Sequence, residues 1–118
     1  MIKKLLLPSA FCLILAGCVN DSTDDLIGTT DGNITYTGNI QHIVETNCYF
    51  CHGSTPQNGA PMSMTSYEAV KEAVINRNLI GKISKQNGED GLMPFGGQRL
   101  PQATIDQIIA WRDANFPE

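Results

Sequence analysis

Cys48-Tyr49-Phe50-Cys51-His52 is the stretch on which the reading of this chain turns. Two cysteines three apart, with a histidine directly after the second, form the attachment signature of haem c, and the spacing has a physical reason. Both thiols add across the two vinyl groups of one porphyrin edge, and the adjoining imidazole then falls beneath the iron. One turn of chain fixes three points on a flat cofactor. A thioredoxin-like redox pair also uses two cysteines at this spacing, but it requires a strand-helix context that this sequence lacks. A zinc site requires two further Cys or His ligands. Of the other two cysteines, Cys12 and Cys18 fall in the N-terminal segment discussed below, and His42 is the only other histidine.

Upstream of the motif, Gly38-Asn39 opens an apolar-periodic stretch, Ile40, Ile43 and Val44, that predicts a helix running into Cys48. If residues 40 to 47 are helical, the ten residues from His42 to His52 rise about 15 Å on the proximal side. His42 is therefore expected at the surface rather than over the iron. Residues 19 to about 33 are polar and acidic with almost nothing to bury, and they read as a tether. Fifteen such residues as a flexible coil span roughly 20 Å root-mean-square. Before them, Met1-Ile2-Lys3-Lys4 and the apolar run Leu5 to Ala16 have the flanks and length of a secretory signal, which places haem attachment after export. Leu15-Ala16-Gly17-Cys18 resembles a bacterial lipobox, with Cys18 acylated and the leader cut just before it; the bland alternative is an ordinary signal peptide with a chance cysteine. Three regions are thus expected: a removed leader over residues 1–17, a lipidated cysteine and acidic tether over 18–37, and a folded domain over 38–118.

Downstream, residues 53 to 61 are loop by composition. Thr65-Ser66-Tyr67-Glu68 has capping-box spacing, with Thr65 as cap, and predicts a helix from Ser66 to about Asn76. A short helical turn is expected at Leu79 to Ser84, and Asn87-Gly88-Glu89-Asp90-Gly91 breaks it. The last element, roughly Gln102 to Ala114, sets Ile105, Ile108, Ile109 and Arg112 on one face with Trp111 flanking. No segment shows strand alternation and no repeat is visible. The expected fold is all-α, a small helical bundle around one covalently attached haem.

The composition is consistent with this. The 118 residues give room for one ordinary domain, and the apolar run of the leader is shorter than the ~20 residues of a bilayer-spanning helix, which excludes a multi-span protein. The net charge of -4 leaves no basic surplus to neutralise phosphates, so nucleic acid is not an expected partner. Loss of Lys3 and Lys4 with the leader makes the mature chain more acidic still.

From about Ile40 to Phe116 the chain resembles the class I cytochrome c family. The resemblance is carried by the helix leading into Cys48-Tyr49-Phe50-Cys51-His52-Gly53, by the Met93-Pro94 pair and by the terminal helix with Trp111. The segment Met93-Pro94-Phe95-Gly96-Gly97, then Leu100-Pro101 opening the last helix, looks like the cytochrome c domains that many bacteria attach to larger secreted proteins. The resemblance implies N- and C-terminal helices that cross beside the haem, His52 as proximal ligand and Met93 as distal ligand. Pro94 and the glycines at 91, 96 and 97 suit a loop that lays a thioether over a flat cofactor. Met62 and Met64 are expected to pack under the haem edge, and His52 to donate its second ring N–H to the carbonyl of Pro61 or a neighbour.

An iron with two protein ligands has no open site for substrate, so one-electron transfer is the expected task rather than catalysis. Thioether ligation, with burial of the ring by Phe95, Leu100, Trp111 and the Ile face, raises the potential relative to bis-His ligation. Two other readings stay open at this point: a haem enzyme or gas-binding sensor in which Met93 is loose on the iron, and a module whose haem mainly stabilises or docks a partner assembly. The expected partners are redox proteins carrying a basic docking patch, with the chain itself a monomer held to the membrane by its lipid. In bacterial lipoproteins, Asp directly after the lipidated cysteine often signals inner-membrane retention. Val19 at that position favours the outer membrane, with the domain in the periplasm or at the cell surface.

Overall fold

The computed structural model describes residues 33–118. The leader, Cys18 and the tether up to residue 32 lie outside the described residues. Among the described residues every regular element is helical. A π-helical turn at Tyr36–Ile40 runs into α1 (Gln41–Asn47), followed by α2 (Tyr49–His52), α3 (Tyr67–Asn76), α4 (Leu79–Ile83) and α5 (Gln102–Asp113). None of them is long and apolar enough to cross a membrane. The expected all-α class is the observed one.

The first element starts on a reciprocal cap. Thr35 is extended and its Oγ1 accepts from Gly38 N at 3.0 Å, while Asn39 Oδ1 accepts from Thr35 N at 3.2 Å. Two donors at a helix start are thereby satisfied without water. The packed unit reaches further towards the N-terminus than the composition suggested, because Ile34 and Tyr36 are buried and Tyr36 N donates to Pro117 O at 2.9 Å. Both residues, placed in the tether by sequence, belong to the packed unit.

The cap of α3 is Ser66, one residue later than expected. Ser66 is extended (φ -140°, ψ 157°) and its Oγ accepts from Ala69 N at 3.3 Å, whereas Thr65 Oγ1 shares a 2.9 Å hydrogen bond with Ser63 Oγ. Helix α5 also differs in rotation. Ile105, Ile108 and Trp111 are its buried residues, while Arg112 is exposed and pairs with Asp113 at 2.8 Å. The indole prevails because it removes more apolar area from water and because its Nε1–H reaches Pro117 O at 2.8 Å, so burial leaves no donor unpaired.

The π turn packs against α5, and α4 packs against both α3 and α5. Ile40, Val44, Val70, Ile83, Ile105 and Trp111 are the most deeply buried large side chains. At one end of this core the rings of Tyr36, Tyr67 and Phe116 surround Trp111 at centroid distances of 4.9 to 6.0 Å. The C-terminal tail closes that end. Pro117 O accepts from both Tyr36 N and Trp111 Nε1, and Phe116 O accepts from Tyr67 Oη at 2.8 Å.

Candidate functional site

Helix α1 ends where Cys48 N donates to Val44 O at 2.8 Å. The Cys48 carbonyl then accepts from both Cys51 N (3.2 Å) and His52 N (2.8 Å), winding α2 as a single tight turn. A side chain at residue 53 would place its Cβ 2.8 Å from Tyr49 O, so the turn that follows His52 requires Gly53. The chain goes out through Gln57 and Asn58 and comes back to His52. Met64 N donates to His52 O at 2.8 Å, and His52 Nδ1 lies 2.9 Å from Met62 O. A carbonyl can only accept, so in the neutral imidazole Nδ1 carries the proton and Nε2 presents its lone pair. The carbonyl is that of Met62, the neighbour of Pro61.

Met93 comes from the long connection between α4 and α5. Its backbone N donates to Lys82 O at 3.2 Å, and the loop bends through left-handed glycines at Gly91 (φ 77°) and Gly96 (φ 73°).

Cys48, Cys51, His52 and Met93, drawn from these two separate stretches, line one cavity of about 410 Å³. Its buried apolar lining comes from Met64, Leu79, Ile83 and Leu100, and among the described residues no Asp, Glu, Lys or Arg side chain contributes to it. Burial pushes the Cys48 thiol up to about 11, so this sulfur sits in surroundings suited to an uncharged form. Asn58 Nδ2 reaches Cys51 Sγ at 3.5 Å. Among the described residues, no three His, Cys, Asp or Glu side chains gather as ligands of a bare metal ion. The donor set is one imidazole nitrogen, the thioethers of Met64 and Met93 and two free thiols in an apolar cleft. It suits a flat apolar macrocycle with a central iron, not a hydrated cation.

His42 is exposed on α1 and does not line the cavity, as expected. Two aromatic residues differ from expectation. Trp111 belongs to the aromatic end of the core rather than to the cleft. Phe95, expected to cover the ring, is 75% exposed at the cavity rim, as is Phe50 at 83%. Leu79 and Ile83 also line the cleft, and the signal for them in the sequence is their i,i+4 spacing on a short helix.

A family model described as cytochrome C oxidase, cbb3-type, subunit III matches residues 37–111. The chain belongs to that family of single-haem cytochrome c domains. No curated protein and no solved structure matches the chain. The matched span takes in the π turn from its second residue, the Cys48 to His52 turn, the Met93 loop and α5 as far as Trp111. As a cytochrome c domain the chain has covalently bound haem c as its cofactor, and its work is haem-based electron transfer.

Proposed function

We propose that this cytochrome c domain is a membrane-tethered one-electron carrier, with Cys48 and Cys51 as the thioether attachment points and His52 and Met93 as the axial ligands. The observation that carries this reading is the convergence of those four side chains on one uncharged cavity, with His52 oriented by the Met62 carbonyl. When bound, the haem iron supplies the ferric/ferrous couple.

The residues divide the remaining work. Met62 O fixes the tautomer and plane of His52, so that Nε2 is the nitrogen offered to a metal. Met93 adds a soft thioether that favours the ferrous state, and it needs no proton to do so. Leu79, Ile83 and Leu100 keep water from the cleft interior and so limit solvent reorganisation when charge changes there. Phe50 and Phe95 leave an uncharged apolar rim, suited to the small, short-lived contact an electron carrier makes. The partner is a redox protein with a basic docking patch, attracted over distance by the acidic excess of this chain, which acts as a monomer. A lipid on Cys18 would join the domain through the residues that precede the packed Ile34 and Tyr36, which do not line the cleft. We place the protein in the bacterial envelope, on the outer membrane in preference to the inner.

Oxidised and reduced absorption spectra of the purified protein, extended to the near-infrared, with a denaturing gel stained for covalent haem, test the site. Covalent haem, low-spin spectra and the near-infrared band of Met-to-ferric-iron ligation are expected. High-spin spectra, or carbon monoxide binding to the untreated ferrous protein, would instead favour an enzyme or sensor. Cys18→Ala is expected to keep the spectrum and release the protein from membranes; retention there would sink the anchor.

A further inference from the structure

The connection that carries Met93 leaves α4 at Ser84 and enters α5 at Gln102, and one half-buried side chain holds those two ends together. Arg99 Nε donates to Ser84 O at 3.3 Å, Nη1 donates to Leu100 O at 3.2 Å, and Nη2 donates to Gln102 Oε1. Its backbone N also donates to Asn87 Oδ1 at 2.7 Å. The outgoing and returning limbs of the loop are thus clasped at two levels, by the guanidinium at Ser84 and by the amide at Asn87. Ser84 and Leu100 adjoin the cavity: Ile83 and Leu100 are both buried lining residues. Beyond the clasp, Met93 N donates to Lys82 O at 3.2 Å, Lys85 Nζ donates to Asp90 O at 2.7 Å, and the half-buried Met93 side chain packs against the core.

We propose that Arg99 is the positioning residue for the distal ligand: by clasping both limbs of the loop it holds the Met93 thioether over the cleft and keeps other ligands out. The inference rests on the reading of Met93 as the sixth ligand. A planar guanidinium suits the task, because its donors point in fixed, different directions and can bridge Ser84, Leu100 and Gln102 at once. A single ammonium cannot reproduce that fork. Without the guanidinium the loop keeps its backbone ties to Lys82 and Asn87 and the Lys85–Asp90 hydrogen bond but loses the link to Ser84 and Gln102, and it opens more often as a local unit while the core stays folded. Each opening lifts Met93 away and exposes the sixth position. A competing ligand that binds only the open form gains apparent affinity in proportion to the open fraction.

The test uses the full-length holoprotein and its Arg99→Ala, Arg99→Lys and Asn87→Ala variants, with imidazole as the probe ligand of the ferric form. Arg77→Ala serves as the charge control, since Arg77 is exposed and pairs only loosely with Glu72 at 3.8 Å. The expected result for Arg99→Ala is a weakened near-infrared Met band and imidazole binding stronger by about tenfold, which corresponds to a tenfold larger open fraction. Arg99→Lys keeps the charge and is expected to follow Arg99→Ala; Asn87→Ala shifts both readouts the same way by less, and Arg77→Ala leaves both at the parent values. If Arg99→Ala lowers only the thermal midpoint, with the band and imidazole affinity of the parent, the clasp is structural and the proposal falls. Should Arg99→Ala fail to fold, parent-like readouts in Arg99→Lys and Asn87→Ala overturn it equally. A parent protein that itself lacks the Met band and binds imidazole as tightly as Met93→Ala overturns the ligation reading first, an outcome distinct from failure of the clasp.

Discussion

Trp111 shows how a single residue can be legible in kind and not in place. Its side chain is fully buried, ringed by Tyr36, Tyr67 and Phe116, with its N–H on Pro117 O. Trp111→Ala is expected to cost ~3–5 kcal/mol, a large part of the ~5–15 kcal/mol that holds a domain of this size folded. Denaturant unfolding of the holoprotein measures this, and a loss below 1 kcal/mol would mean that the tail and neighbouring rings collapse into the space. The same experiment on His42→Ala should show almost nothing, because that side chain is exposed. Cys48, Cys51 and His52 could be singled out from sequence because their chemistry depends on spacing within one turn. Arg99 could not, since its role depends on Ser84, Asn87 and Gln102 being near it in space.

At the scale of elements, the capping signal before α3 placed the helix correctly and its first residue one position early. Two hydroxyls compete there, and the backbone conformation decides between them: Ser66 is extended and aims Oγ at Ala69 N, while Thr65 is turned towards Ser63. Ser66→Ala is therefore expected to destabilise the protein by about 1 kcal/mol and Thr65→Ala by only a few tenths, as read from thermal or denaturant midpoints. The reverse order would restore Thr65 as the cap. The lengths of α4 and α5 followed from apolar spacing and the flanking Gly, Asn and Pro residues. The rotation of α5 did not, because 3.6-residue periodicity gives a broad apolar arc. Which edge of that arc is covered depends on the tail that folds back over Trp111.

For the whole molecule, the cofactor site and the core are continuous: Met64, Leu79, Ile83 and Leu100 serve both. The apolar body of a bound haem would fill that cleft and extend the core of a small domain, so folding is expected to depend on it. Replacing both Cys48 and Cys51 with Ser is expected to abolish retained haem and most of the far-ultraviolet helical signal; a native-like spectrum without haem would show that the helices stand alone. Charge is also distributed unevenly along the chain. Asp21, Asp24, Asp25 and Asp31 precede the described residues, and residues 33–118 hold eight acids against six bases. Long-range attraction to the proposed basic partner is thus expected to depend chiefly on residues 21–31. Changing those four Asp to Asn should flatten the salt dependence of the association rate while leaving the high-salt rate unchanged; an undiminished salt slope would place the attraction on the folded surface.

The sequence by itself determined the helical class, the single turn that sets Cys48, Cys51 and His52 side by side and the approximate helix boundaries. Each of these depends on residues within a few positions of one another. Tertiary structure alone decided that Met62 supplies the carbonyl for His52, that Trp111 faces the core while Phe95 faces solvent, that Ile34 and Tyr36 are packed, and that Arg99 clasps the Met93 loop. Those arrangements arise where segments distant in the chain meet, and their partners are chosen by burial and by the need to pair every buried donor.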